Sequence, residues 1–316
     1  MGRQPITARL TRPNSSNRQP PPGRTAGIST APRRYSLSLF FLLAFTLSWA
    51  VWLPATVTSF LRANPTPGSS GTALIGSFGP LAAALITAGF MDGRIGFREL
   101  GRRLVTWRVR TRWYAFVLLW PAAHSLAATG ASVLLGSEAP QFDRPPFLEA
   151  YPLPDELTTA VPLLAFLPLV FLQQLLLGSS IGEEPGWRGY ALPRMQWAHS
   201  SLAASLALGL LWAFWHLPLW LRPDHPASQI GWDVLELIAV AVLFTWVFNH
   251  TRGSLFVALL FHASTAVTGL FLASSRFHPT IDVVLVWILV AIVVVSEPEL
   301  RTKRKDGKPF RPESIG

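Results

Sequence analysis

LLLGSSIGEEPGWRGYALPRMQ, Leu175 to Gln196, sets two adjacent carboxylates, Glu183 and Glu184, and an arginine, Arg188, directly behind an apolar run that begins near Leu163. A run of about 20 apolar residues is what crosses roughly 30 Å of hydrocarbon as a helix. The acid pair therefore falls at the edge of a membrane span. The rest of the chain agrees with that reading. Of 316 residues, 50% are hydrophobic and only 14% charged, against about 25% charged in an ordinary soluble domain. Mean hydropathy is +0.35.

Uncharged stretches recur along the chain, and they predict spans at about 35–60, 72–91, 113–136, 160–180, 200–221, 229–249, 254–274 and 280–296. The fold class expected is all-α, a polytopic transmembrane bundle of about eight helices. Residues 1–34 hold seven arginines and no acid among many Pro, Ser and Asn. They read as a disordered basic arm. The apolar run behind the arm is too long for a signal peptide's h-region of about 7–15 residues, so it is expected to remain as the first span. Residues 35–296 would form one membrane domain and 297–316 a basic tail.

Loop 92–112 has seven arginines against two acids, and the tail six basic residues against four acids. Loop 137–158 has one arginine and five acids. With the arm inside, eight spans put every arginine-rich loop in the cytoplasm and both termini there, N-in and C-in. A cell-membrane location is expected, with 181–199 on the cytoplasmic side. The net charge of +10 lies between spans rather than on a soluble face, so membrane lipid is the expected partner and nucleic acid is not. There is no cysteine, which excludes disulfides, thiolate metal sites and a cysteine nucleophile.

Pro185 disfavours α geometry at Glu184 and has no N–H, so it suits a first helical turn, whose positive dipole end would then sit beside both acids. Four residues separate Glu184 from Arg188, close enough to pair on one helix face. Glu183 points elsewhere and stays free to act as a base. An interfacial cap with a salt bridge is the plain alternative. His216 and His262 shift the balance, because ionisable side chains inside spans are costly and mark functional sites. A carboxylate and two imidazoles are the groups that activate water at a peptide carbonyl and stabilise the oxyanion. His124 reads as a structural hydrogen-bonder. His199, His225, His250 and His278 read as loop residues. Trp187, Trp212, Trp215 and Trp220 read as packing or interfacial anchors.

These residues, in this order, resemble the CPBP intramembrane protease family, which includes the Rce1-type CAAX prenyl endopeptidases and the bacterial Abi proteins. The likeness covers about residues 35–296. Glu183, Glu184 and Arg188 match the Glu-Glu-x-x-x-Arg motif. Trp212 and His216 match an aromatic, usually Phe, four residues before a histidine. "NHTRGSLFVALLFHAS" resembles the approach to the third motif's His262, and "GSFGPLAAALITA", from Gly76, the early Gly-Pro helix. The resemblance implies an endopeptidase acting on a membrane-associated protein or peptide. In it Glu183 activates water with help from His216, Glu184 and Arg188 orient the site, and His262 contributes to the oxyanion site. The asparagine common four residues after that histidine is Ala266 here, and Ser264 or Thr265 would have to supply a donor. No cofactor is required on this reading. The alternative is a divalent metal such as zinc, held by Glu183, His216 and His262. Two rival functions stay open: a non-catalytic scaffold or immunity protein, favoured by Ala266, and a proton-coupled transporter relaying through the buried acid and histidines, opposed by the few acids in the spans, notably Glu236 and Asp282.

Overall fold

The computed structural model describes residues 31–61, 70–139, 145–223, 225–272 and 279–303, with isolated residues 2 and 142. Most of the expected basic arm, most of the tail and His278 lie outside the described residues. Among the described residues the chain is helical without a strand. The helices are α1 (Ala31–Leu61), α2 (Ser70–Ser77), α3 (Gly79–Asp92), α4 (Arg94–Leu104), α5 (Thr111–Leu134), α6 (Phe147–Ala150), α7 (Asp155–Ala160), α8 (Leu167–Leu176), α9 (Ser179–Glu184), α10 (Leu192–Ala198), α11 (Ser201–Trp220), α12 (Ala227–His250), α13 (Leu255–Phe271) and α14 (Pro279–Ser296). Seven helical segments are long and apolar enough to cross a membrane, and α13 is a shorter apolar one. The chain is a multi-pass membrane protein.

α14 explains itself from its sequence. Val283, Val286, Val290 and Val293 are buried, while Val284, Ile288, Ile292 and Val295 on the other side are exposed. A helix apolar all round with one face uncovered is stable in lipid and a liability in water. α13 is the opposite case, buried along most of its length from Leu255 to Ser264 and packed by α5, α8, α9 and α12. Ser254 caps it, accepting from the Val257 N–H at 3.1 Å. Ser200 caps α11 in the same way through Ala203, and serine hydroxyls at such positions satisfy N–H groups that no helical turn can reach.

The loops expected on one side do meet at one end of the bundle. Arg194 pairs with Asp92, Arg252 donates to the Arg108 carbonyl, and Ser254 donates to the Thr106 carbonyl. His250 lies 3.4 Å from Glu297. The arginine-rich segment 92–112 thus shares an end with the turn after α12 and the residues after α14.

The fourth span departs from expectation. It does not stop at 180 with a new helix starting at Pro185. The backbone breaks at Leu177–Gly178, re-enters as α9 at Ser179, widens into a π-helical turn over Pro185–Ala191 and continues as α10. Glu183 and Glu184 therefore close α9 inside the bundle, and are not at a helix start. The reason is local: Pro185 has no N–H to place in an α ladder and its ring crowds the carbonyl four residues back. A wider turn accommodates both. The turn sits against α3, where an added Cβ on Gly186 would lie 2.6 Å from the Pro80 carbonyl oxygen, and in α9 one on Gly182 would lie 2.6 Å from the carbonyl oxygen of Ser77 at the end of α2. Gly182 and Gly186 form a Gly-x-x-x-Gly pair that lets the two backbones touch.

Candidate active site

The broken fourth span delivers Ser179, Glu183, Glu184 and Arg188; α11 delivers Trp212 and His216, α12 Phe244, and α13 His262. Glu183 is 3% exposed, and Glu184 and Arg188 are fully buried. The pairing expected from spacing is present, with Arg188 Nη1 donating to Glu184 Oε1 at 3.0 Å. His262 Nδ1 meets the same oxygen at 2.8 Å. One carboxylate oxygen thus holds a cation and an imidazole together. An interfacial cap would be solvated, so the burial sets that alternative aside.

An ion pair removed from water needs more than its mutual attraction to offset desolvation. The guanidinium carbon of Arg188 lies 4.3 Å from the ring centroids of both Trp212 and Phe244. Such cation–π contacts contribute about 2 kcal/mol when desolvated. Arg188 Nε and Nη2 and Glu184 Oε2 have no hydrogen-bond partner among the described residues, so the aromatic faces carry much of the compensation.

Trp212 joins the site's members. Its indole N–H donates to Glu183 Oε2 at 2.7 Å, and its carbonyl faces His216 Nδ1 at 2.8 Å. Its ring centroid is 6.0 Å from that of His262. Since a carbonyl only accepts, His216 Nδ1 carries hydrogen and Nε2 is left as an acceptor. His262 is pinned from the far side as well, with Ser179 Oγ 3.1 Å from Nε2. Around this group Trp52, Trp187 and Trp215 pack edge to face, and Trp215 and Trp187 are fully buried.

The structure brings together Glu183, Glu184, Arg188, Trp212, His216 and His262, and leaves the two expected hydroxyl donors out. Ser264 donates to the Val117 and Phe261 carbonyls and Thr265 to the Phe261 carbonyl at 2.9 Å. Both hydroxyls bond back to main chain, as serine and threonine in helices commonly do. His124 is a structural hydrogen-bonder, as expected, 3.1 Å from Asp282. His225 pairs with Asp233, and His250 ends α12 rather than lying in a loop.

Reasoning from the sequence missed Ser179 and Phe244 and gave Trp212 too small a part. Ser179 had a signal, lying four residues before Glu183 and hence on its helix face. Phe244 had none within its apolar helix.

A zinc ion would need Glu183, His216 and His262 to aim free donors at one point. His262 has Nδ1 on Glu184 and Nε2 on Ser179, and Glu183 Oε2 is on Trp212. Among the described residues no group of three or more His, Asp or Glu is arranged to hold a metal.

The family model for type II CAAX prenyl endopeptidases, Rce1-like, matches residues 164–268, a range containing every residue of the site. That segment is similar to the Rce1-like endopeptidases. Along the chain, 280 residues are 22% identical to CAAX prenyl protease 2 of Methanococcus maripaludis, covering 84% of this chain and 96% of the relative. The matched segment runs from the fourth span to α13, so it takes in the broken helix, α11 and both histidines. The resemblance read from the motifs holds, and with it a membrane peptidase.

Proposed function

We propose that the chain hydrolyses a peptide bond near the carboxyl terminus of a membrane-associated substrate, using water activated by Glu183. The observation that carries this is the hydrogen bond from Trp212 to Glu183 Oε2 at 2.7 Å beside the Glu184–Arg188–His262 group. It holds a buried carboxylate in place with one oxygen engaged and the other to face water.

In this reading Glu183 Oε1 takes the proton of a water whose second hydrogen points at His216 Nε2. The water oxygen bonds to the carbonyl carbon and an oxyanion forms on the side of His262. When the carbon–nitrogen bond breaks, Glu183 returns its proton to the departing amine. Glu184 and Arg188 orient the site through His262 rather than meeting substrate. The name of the archaeal relative, CAAX prenyl protease 2, supports a prenylated CAAX terminus as the substrate class. The arginine-rich end of the bundle supports a cytoplasmic side for the site, in a cell membrane with both termini inside. This reading requires no metal, since both ring nitrogens of His262 are engaged by Glu184 and Ser179.

Purified protein incubated with a farnesylated CAAX peptide should release the terminal tripeptide, and should do so equally after treatment with chelator. Activity abolished by chelator and restored by zinc would overturn the metal-free mechanism. A scaffold without turnover is the second reading, favoured by Ala266, and it predicts no release by any variant.

A further inference from the structure

We propose that the Ser179 hydroxyl is the oxyanion donor of this site, acting at the outer end of His262; the proposal rests on the hydrolytic reading above. Three observations lead to it. Ser179 Oγ is 3.1 Å from His262 Nε2, the ring nitrogen facing away from Glu184. The other hydroxyls near His262, those of Ser264 and Thr265, are turned to main-chain carbonyls. Residue 266, one turn beyond His262 and on its face, is alanine and offers no polar atom.

The hydrogen count favours Ser179 over the ring. Nδ1 of His262 faces a carboxylate and donates to it, so a neutral ring accepts at Nε2 and has no hydrogen to give an oxyanion. The Ser179 hydroxyl then holds the only hydrogen of that pair. If the ring is protonated, Nε2–H donates to Ser179 Oγ, and the hydroxyl hydrogen is free to meet the substrate oxygen. In the neutral state that hydrogen must turn from Nε2 to the substrate oxygen as negative charge forms there, and in the protonated state it is already free to do so. The step balances simply. Water oxygen bonds to the carbonyl carbon, Glu183 receives the water proton, and the carbonyl oxygen takes the negative charge facing Ser179 O–H. The charge returns as the carbon–nitrogen bond breaks. Ser179 is positioned for this by the backbone break at Leu177–Gly178, which restarts the helix at Ser179 itself.

The test uses full-length protein in detergent with the farnesylated CAAX peptide, measuring kcat and KM separately. Ser179→Ala should lower kcat by about 10²-fold, the scale set by removing one oxyanion donor, with KM within about twofold. Ser179→Thr should recover to within about tenfold of wild type, and Ala266→Asn placed in the Ser179→Ala protein should raise kcat at least tenfold by returning an N–H donor from the same helix face. Wild-type kcat in Ser179→Ala alongside loss of turnover in Glu183→Ala overturns the Ser179 assignment and leaves the protease reading intact. A fall in Ser179→Ala that neither Ser179→Thr nor Ala266→Asn reverses also overturns it, by marking Ser179 as structural. Release undiminished in Glu183→Ala, or absent from wild type, overturns the hydrolytic reading and this assignment with it.

Discussion

Trp212 on α11 gives its indole N–H to Glu183 Oε2 across 29 residues of sequence, at 2.7 Å. The same residue accepts from His216 at its carbonyl and lays its ring against Arg188. One residue thus fixes the base and the buried cation through its side chain and the second imidazole's tautomer through its carbonyl.

Trp212→Phe separates these tasks, keeping a ring for Arg188 and removing the donor to Glu183. A hydrogen bond to a charged group contributes about 1.5–3 kcal/mol, so kcat should fall by roughly tenfold or more while the protein remains folded. Turnover in the purified variant checks this. A kcat equal to wild type would reduce the indole to packing.

Glu184→Gln leaves Arg188 buried without its anion. Removing one partner of a buried pair costs about 3–5 kcal/mol, so the variant should be poorly retained in membranes. Glu184→Gln with Arg188→Met removes both charges and should recover much of the thermal stability. It should stay inactive, because His262 has lost the carboxylate that orients it. Melting temperature and peptide release together check this, and an active double variant would show that Glu184 serves stability alone.

Gly186→Ala sets a methyl group 2.6 Å from the Pro80 carbonyl oxygen, so α3 and the π turn must separate. Overpacking of this kind costs about 1–3 kcal/mol. The shift moves Glu184 and Arg188, which lie on either side of Gly186, and activity should fall more than stability. A thermal shift assay beside the peptide assay reads both. Normal values in each would mean the two backbones are less closely held than the geometry requires.

Much of this was legible in the sequence because membrane helices write themselves as uncharged runs, and Glu184 to Arg188 is a helical spacing. The expected eight spans correspond to seven long apolar segments and the shorter α13. The path of the fourth span was not legible. Proline near an acid pair usually marks a helix start, and only the tertiary contact of Gly182 with the end of α2 and of Gly186 with α3 shows that the helix passes through. The Gly-x-x-x-Gly spacing was in the sequence as a sign of close packing. The sandwiching of Arg188 by Phe244, and the turning of Ser264 and Thr265 to main chain, depend on how α12 and α13 rotate, which an all-apolar pattern does not encode.

The most direct test of the central claim compares protein termini in membranes holding wild type or Glu183→Gln at equal abundance. The account predicts new carboxyl termini with wild type that are absent with Glu183→Gln. The same termini appearing at the same rate with both would contradict it, because the site's other described carboxylate, Glu184, is held by Arg188 and His262.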